Sequence, residues 1–177
     1  MTGHRLPPSL LIALILLGLG LPGPTWAEPA FQATVLSVGD GDTLRVRSGQ
    51  QRITIRLACI DAPEMAQSPY GRQAQQALQR RLAGGRPVTI QPRSTDRFGR
   101  IVAETVGDTT INLALVEDGL AFAFRRYLGS CNAAAYLEAE ERARRQRLGV
   151  WRVPGGLTRP WDFRRTRRST LIPNGNT

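Results

Sequence analysis

Hydrophobic and polar residues alternate over three segments near the start of the chain, and this two-residue period is typical of half-buried β-strands. The segments are residues 31–38, 43–47 and 52–60, with turn-forming sequences between them. The third segment places its apolar side chains on one face, namely Ile53, Ile55, Leu57 and Cys59. The pattern therefore predicts a meander of three strands.

The period changes to that of an amphipathic helix after residue 69. Apolar residues recur every three or four positions from Tyr70 to Leu82, and Gly84-Gly85 ends this helix. Four further elements are predicted: strands over residues 87–91 and 101–106, and helices over 111–118 and 133–148. Five strands with a helix between the third and the fourth predict an α+β, mainly β fold, a five-stranded OB-type Greek-key barrel with three appended helices.

Residues 1–27 have the layout of a secretory signal peptide. Arg5 precedes an apolar run of 12 residues at positions 10–21, and small residues follow up to Ala27. A membrane-spanning helix needs about 20 apolar residues, and this run is shorter. We therefore expect cleavage after Ala27 and export to the periplasm or the medium; the alternative is an uncleaved membrane anchor.

Cleavage would leave about 150 residues, enough for one domain with its own hydrophobic core. That domain is predicted to span residues 28–153. Residues 154–177 are rich in Pro, Gly and Arg, and we expect them to form a loosely packed basic tail. The mature protein is expected to be a monomer that is not associated with a membrane.

All 24 basic residues are arginine, and the single histidine, His4, lies in the predicted signal peptide. The mature chain would therefore lack the imidazole of a Ser-His-Asp or Cys-His group, the lysine of a P-loop and the ligands of the usual zinc sites. A metal site would have to use oxygen ligands, which suit Ca²⁺, Mg²⁺ or Mn²⁺. The net charge of +10 favours a polyanionic partner, either nucleic acid or another acidic surface.

Cys59 and Cys131 are the two cysteines of the chain. Export would place them in an oxidising compartment, where they would be able to form a disulfide. The alternative is a buried thiol at Cys59 and an independent surface thiol at Cys131. Both interpretations stay open, because the sequence does not give the distance between the two residues.

Two acidic clusters lie at predicted strand ends, Asp40-Gly41-Asp42-Thr43 after the first strand and Asp61-Ala62-Pro63-Glu64 after the third. Convergence of these ends would bring Asp42, Asp61 and Glu64 together. Three neighbouring carboxylates repel each other unless a cation neutralises them, and a hard divalent ion would do so. The alternative is that these are ordinary turn and capping acids.

Two arginines are placed to complete such a site. Arg56 falls on the polar face of the third strand, and Arg100 closes the sequence Asp-Arg-Phe-Gly-Arg before the fifth. Beside a metal–carboxylate site, two guanidinium groups would bind a phosphodiester and stabilise the charge of its transition state. The alternatives are a surface ion pair for Arg56 and a turn residue for Arg100.

Four segments together resemble the staphylococcal nuclease (thermonuclease) family, and the resemblance extends from about residue 31 to residue 151. The segments are RVRSGQQRITIRLACIDAPE, DRFGR, INLALVEDGLA and AEERARRQRLGVW. The resemblance implies a five-stranded OB barrel with three helices. It also implies Ca²⁺-dependent cleavage of phosphodiester bonds in DNA and RNA.

The resemblance also implies a role for each site residue. Asp42, Asp61 and the backbone carbonyl of Ala62 would bind one Ca²⁺ ion, and Asp40 would lie close to it. Glu64 would orient or deprotonate the attacking water. The phosphate arginines would be Arg56 and Arg100.

The chain departs from the founding member of this family at substrate-contacting positions. Phe98 and Arg125 each stand where that protein has a tyrosine, and Tyr127 is a candidate replacement for the second. The active-site loop at residues 65–69 is also shorter. In the tail, residues 159–165 interleave aromatic residues with arginine, which predicts either a grip on a nucleic acid strand or packing of the tail onto the domain.

The sequence supports two functional hypotheses. The first is an exported, calcium-dependent nuclease that hydrolyses DNA, RNA or both. The second is a non-catalytic OB module that binds nucleic acid or another polyanion. A binding module needs the arginines but gains nothing from clustered carboxylates, which favours the first hypothesis.

Overall fold

The computed structural model describes residues 28–83 and 85–171; the predicted signal peptide and Gly84 lie outside the described residues. The strands of the described part are β1 (Phe31–Val38), β2 (Thr43–Ser48), β3 (Gln51–Leu57), β4 (Ile60–Asp61), β5 (Pro87–Thr95), β6 (Ile101–Val106) and β7 (Phe122–Ala123). Its α-helices are α1 (Tyr70–Arg81), α2 (Ile111–Glu117), α3 (Ala133–Arg145) and α4 (Pro160–Leu171).

Five strands close into a barrel in the order β1-β2-β3-β6-β5, and β5 returns to pair with β1. The pairing is antiparallel throughout, except that β3 and β6 run parallel. Alternate residues of the strands point into the barrel and are buried there, among them Leu44, Val46, Ile55, Leu57 and Ile90. The predicted α+β fold with a five-stranded OB-type barrel is confirmed.

The third strand was predicted to run to residue 60, and this is wrong. Strand β3 ends at Leu57, and Cys59 has a φ of 65°, a left-handed conformation that interrupts a strand. The chain then forms β4, which pairs with β7 outside the barrel. Buried Asn112 satisfies the backbone at this break, since its side chain donates to the carbonyl oxygens of Ala58 and Ala103.

The tail was predicted to be loosely packed, and this is wrong for residues 154–171; residues 172–177 lie outside the described residues. The alternative, packing of the tail onto the domain, is confirmed for the segment around Trp161. Residues 160–171 form α4, and the Trp161 ring stacks on Phe124 at 4.8 Å with the ring planes 3° apart. Just before the helix, the Arg159 guanidinium lies 4.2 Å from the ring centre of Phe122 and 4.6 Å from that of Trp151. Aromatic stacking and cation–π contacts therefore dock this segment on the domain.

In the part of the chain that the structure describes, no helix has both the length and the apolar character needed to span a membrane. Helices α2 and α3 pack against each other beside the barrel, and α1 buries Ala74, Ala77 and Leu78 against the core. These helices begin where the sequence predicted, and they end one to three residues earlier than predicted.

A disulfide joins Cys59 and Cys131, whose Cα atoms are 6.4 Å apart. It connects the break after β3 to the segment that precedes α3, across a sequence separation of 72 residues. Closure of a long loop removes conformational freedom from the unfolded chain. The bond therefore stabilises the same region of the fold from which Asp61 emerges.

We predict that the double variant Cys59→Ser/Cys131→Ser loses about 2–4 kcal/mol of unfolding free energy, because its unfolded state regains the freedom of the open loop. Urea unfolding followed by circular dichroism measures this difference. A reducing agent should lower the midpoint of the parent protein and leave that of the variant unchanged. Equal midpoints for the oxidised parent and the variant would contradict the prediction.

Candidate functional site

Two acidic turns meet at one end of the barrel. Asp42 directly precedes β2, and its carboxylate accepts a hydrogen bond of 2.7 Å from the backbone N–H of Ala62. The carbonyl oxygen of Asp42 accepts another, of 2.9 Å, from the N–H of Leu57. Asp40 in turn accepts from the N–H of Asp42 at 3.1 Å. These bonds fix the position of Asp42 against the segment that carries Asp61. The side chains of Asp42 and Asp61 are both buried.

Gly41 allows this close approach of the two turns. A Cβ atom at this position would lie 2.6 Å from the Cβ of Ala62 and 2.8 Å from that of Ala74. Both distances are shorter than carbon–carbon contacts in folded proteins. A glycine here therefore lets the first acidic turn rest on the second and on helix α1.

Arg56 joins the two aspartates. The register of β2 and β3 places Arg56 opposite Thr43, the residue after Asp42. One terminal nitrogen, Nη1, contacts the Asp42 carboxylate, and Nη2 donates to Asp61 Oδ1 at 2.6 Å. Because Asp61 has no exposed side-chain surface, its charge requires such a partner.

Glu64 lies on the loop after β4, and its carboxylate is about one-third exposed. Buried Gln67 shapes this loop, since its side-chain oxygen accepts from the N–H of Glu64 at 3.0 Å. The Gln67 amide also donates to the carbonyl oxygen of Thr158 at 2.8 Å. Sequence reasoning missed Gln67, because a glutamine in a loop gives no signal of these contacts.

Arg164 of helix α4 contacts both acids of the second cluster. Its Nη2 donates to Asp61 Oδ2 at 2.7 Å, and its Nη1 donates to Glu64 Oε1 at 2.5 Å and to Asp61 Oδ1 at 3.2 Å. Burial alone would lower the pKa of Arg164, but the bonds with Asp61 and Glu64 outweigh burial and raise it. Sequence reasoning placed Arg164 in a segment that would grip a nucleic acid strand or pack onto the domain, and it did not place this residue beside Asp61 and Glu64.

Arg100 has a different partner. It ends the hairpin loop before β6, and its Nε donates to Asp96 Oδ2 at 2.7 Å. Burial would raise the pKa of Asp96, but hydrogen bonds from Arg100 and from the N–H of Phe98 hold it below its usual value. Arg100 is therefore oriented by Asp96 and not by the buried residues Asp42 and Asp61. Strand β6, which begins at the next residue, pairs with β3, which carries Arg56.

The side chains of Phe98, Arg125 and Tyr127 do not contact the carboxylates of Asp42, Asp61 or Glu64. The Phe98 ring is 69% exposed, and the guanidinium of Arg97 lies 4.7 Å from its centre. Arg125 donates to the buried carboxylate of Glu140 at 2.6 Å, which gives it a structural partner. Tyr127 is exposed and packs edge-on against Phe124. Of the two aromatic residues, Phe98 is the more exposed.

The donor chemistry of the site fits a hard divalent cation. Asp42 and Asp61 offer carboxylate oxygens, Ala62 offers a carbonyl, and these are ligands that Ca²⁺ accepts. Among the described residues, no three acidic, histidine or cysteine side chains are grouped so as to hold a metal ion. The guanidinium of Arg164 instead lies between Asp61 and Glu64, so this position already accommodates a positive charge.

Comparison with known proteins places the chain among nucleases. The family model described as staphylococcal nuclease homologue matches residues 54–153. A micrococcal nuclease of Shigella flexneri is 36% identical over 82% of this chain and 86% of its own length. Protein ParB of Escherichia coli is 33% identical over 88% and 90%, respectively. An uncharacterized endonuclease of Haemophilus influenzae is 34% identical over 66% of this chain and 64% of its own length.

The matched residues 54–153 include Arg56, Asp61, Glu64 and Arg100, while Arg164 lies beyond them. The family match and the two long alignments agree with the closed five-stranded barrel. The chain therefore belongs to the staphylococcal nuclease family.

Proposed function

We propose that this chain is an exported, calcium-dependent nuclease that hydrolyses phosphodiester bonds of DNA, RNA or both. The observation that carries the proposal is the convergence of Asp42, Asp61, Glu64 and Arg56 at one end of the barrel. Buried carboxylates beside a partly exposed one suit metal-assisted hydrolysis. The named nucleases among the relatives support the same reaction class.

One Ca²⁺ ion would be held by Asp42, Asp61 and the carbonyl of Ala62. When bound, this ion supplies positive charge for a phosphate oxygen and for the charge that develops during the reaction. Glu64 is the acid best placed to act on water, because its carboxylate reaches solvent while Asp61 does not. Asp42 and Asp61 would therefore bind the ion, and Glu64 would accept a proton from water.

The chemical step transfers two protons and exchanges one bond at phosphorus. The Glu64 carboxylate removes a proton from a water molecule as the water oxygen bonds to phosphorus. The bond from phosphorus to the leaving sugar oxygen breaks, and that oxygen takes up a proton from solvent as it departs. General-base catalysis of this kind requires a carboxylate within hydrogen-bond reach of the water.

The arginines would neutralise the phosphate. Arg56 lies between Asp42 and Asp61. From this position its guanidinium would contact a phosphate oxygen of the substrate. Arg100 is held by Asp96 within the hairpin loop that precedes β6, and a guanidinium fixed before the reaction stabilises developing charge without reorganisation. The exposed ring of Phe98 offers a face on which a base can stack.

We also propose that the protein is exported and that it is a monomer. The apolar run at residues 10–21 supports a cleaved signal peptide. The disulfide between Cys59 and Cys131 supports an oxidising compartment such as the periplasm or the medium. The second candidate function, a non-catalytic OB module, leaves the buried aspartates without a purpose, since phosphate binding gains nothing from them.

We expect Glu64→Gln to lower the turnover number by about 10²–10⁴-fold, because the amide cannot accept the proton of the attacking water. Release of acid-soluble nucleotides from denatured DNA and from RNA, in millimolar Ca²⁺, measures the loss. Glu117→Gln is the matched control, since Glu117 pairs with Arg142 on the surface. Comparable turnover in Glu64→Gln and in the control would show that Glu64 does not activate water.

Removal of Ca²⁺ with a chelator should abolish cleavage, since the site would lose the charge that assists attack at phosphorus. Binding of single-stranded DNA, measured by fluorescence anisotropy, should weaken as salt increases. If the purified protein binds DNA in this salt-dependent way but cleaves neither substrate with any divalent metal, the binding-module function replaces the nuclease.

A further inference from the structure

Arg164 lies between Asp61 and Glu64, and the proposed mechanism needs both of these acids. Both oxygens of Asp61 accept hydrogen bonds from it, at 2.7 and 3.2 Å, and Glu64 accepts a third at 2.5 Å. Asp61 Oδ1 is also used by Arg56. With these contacts in place, Asp61 has no carboxylate oxygen free of an arginine, and Glu64 is paired with one as well.

The arginine is not a loose surface residue, because contacts within α4 and just before it hold this segment on the domain. Trp161, three residues earlier and therefore on the same face of α4, stacks on Phe124. Thr158, just before the helix, accepts a hydrogen bond from Gln67 in the loop of Glu64. The placement of Arg164 thus follows from packing of the whole segment.

Charge explains why a cation is held there. Asp42, Asp61 and Glu64 bring three negative charges together, and Arg56 supplies one positive charge. A second cation relieves the remaining repulsion and the cost of burying Asp61. Arg164 supplies that charge from within the chain, and a divalent ion at the aspartates would supply it from solution.

We propose that Arg164 is a further residue of the site, an internal cation that competes with the divalent ion for Asp61 and Glu64 and so sets the affinity of the site for metal. This inference rests on the proposed metal-dependent function. Binding of the ion requires Arg164 to leave Asp61, and the apparent affinity falls by the fraction of molecules in which it has left. Helix α4 is then an autoinhibitory segment.

Direct titration of the purified protein with Ca²⁺ by calorimetry, and with Tb³⁺ by luminescence, tests the competition without any assay of activity. Arg164→Gln should bind both ions more tightly, by a factor of about 5 to 150, the range typical of energetic coupling between two sites in a protein. Arg165→Gln is the control, because Arg165 lies on the same helix and pairs only with Asp162 among the described residues; its affinity should equal that of the parent.

A second variant separates the effect of the Arg164 charge on metal binding from the effect of helix docking. Trp161→Ala keeps Arg164 but removes the stack on Phe124, so α4 should undock more often and Ca²⁺ should again bind more tightly. Thermal unfolding confirms that each variant is folded. It should also show a larger Ca²⁺-induced rise in melting temperature for Arg164→Gln than for the parent.

Equal or weaker metal binding by folded Arg164→Gln, compared with the parent, overturns the competition. If this occurs while the parent still cleaves DNA with Ca²⁺, the proposed function stands and only the role of Arg164 fails. If neither the parent nor the variants bind Ca²⁺ or Tb³⁺, the metal-dependent function and the competition fail together.

Discussion

The salt bridges of Arg56 with Asp42 and Asp61 connect the barrel to the candidate site. Asp61 is fully buried and Asp42 nearly so, and removing such charges from water costs several kcal/mol unless a partner compensates them. One guanidinium serves both acids only while β3, the turn before β2 and the short strand β4 keep their relative positions. The pairing of β2 with β3 and the geometry of the site are therefore linked, and Gly41 permits the close contact between the two acidic turns.

Around this pair the site is assembled from distant parts of the chain. Asp96 orients Arg100 from the hairpin before β6, while Gln67 links the loop of Glu64 to the segment before α4. Helix α4 lies beyond the residues that the family model matches, yet it supplies the second cation of the site. The catalytic proposal and the proposed control of metal affinity share Asp61 and Glu64, but only the control depends on Arg164 of α4, so variants of α4 can separate them.

The succession of the five barrel strands and the first three helices along the chain was predictable. Burial on one face gives a strand a period of two residues in the sequence, and it gives a helix a period of three to four. Two features were not predictable. The break at Cys59 depends on a left-handed residue and on pairing of β4 with β7, more than 60 residues later. Helix α4 has no broad apolar stripe; it is held by one tryptophan stack and by arginine–carboxylate bonds that a local pattern does not contain.

The sequence by itself determined which chemistry is available: an all-arginine set of cations, carboxylates at two strand ends and no imidazole or lysine outside the predicted signal peptide. Only the tertiary structure decided which charges meet. It paired Arg56 with Asp42 and Asp61, gave Arg125 to Glu140 and placed Arg164 against Glu64, 100 residues earlier. The physical reason is that an ion pair depends on separations of a few ångströms, and those separations are set by how the whole chain packs.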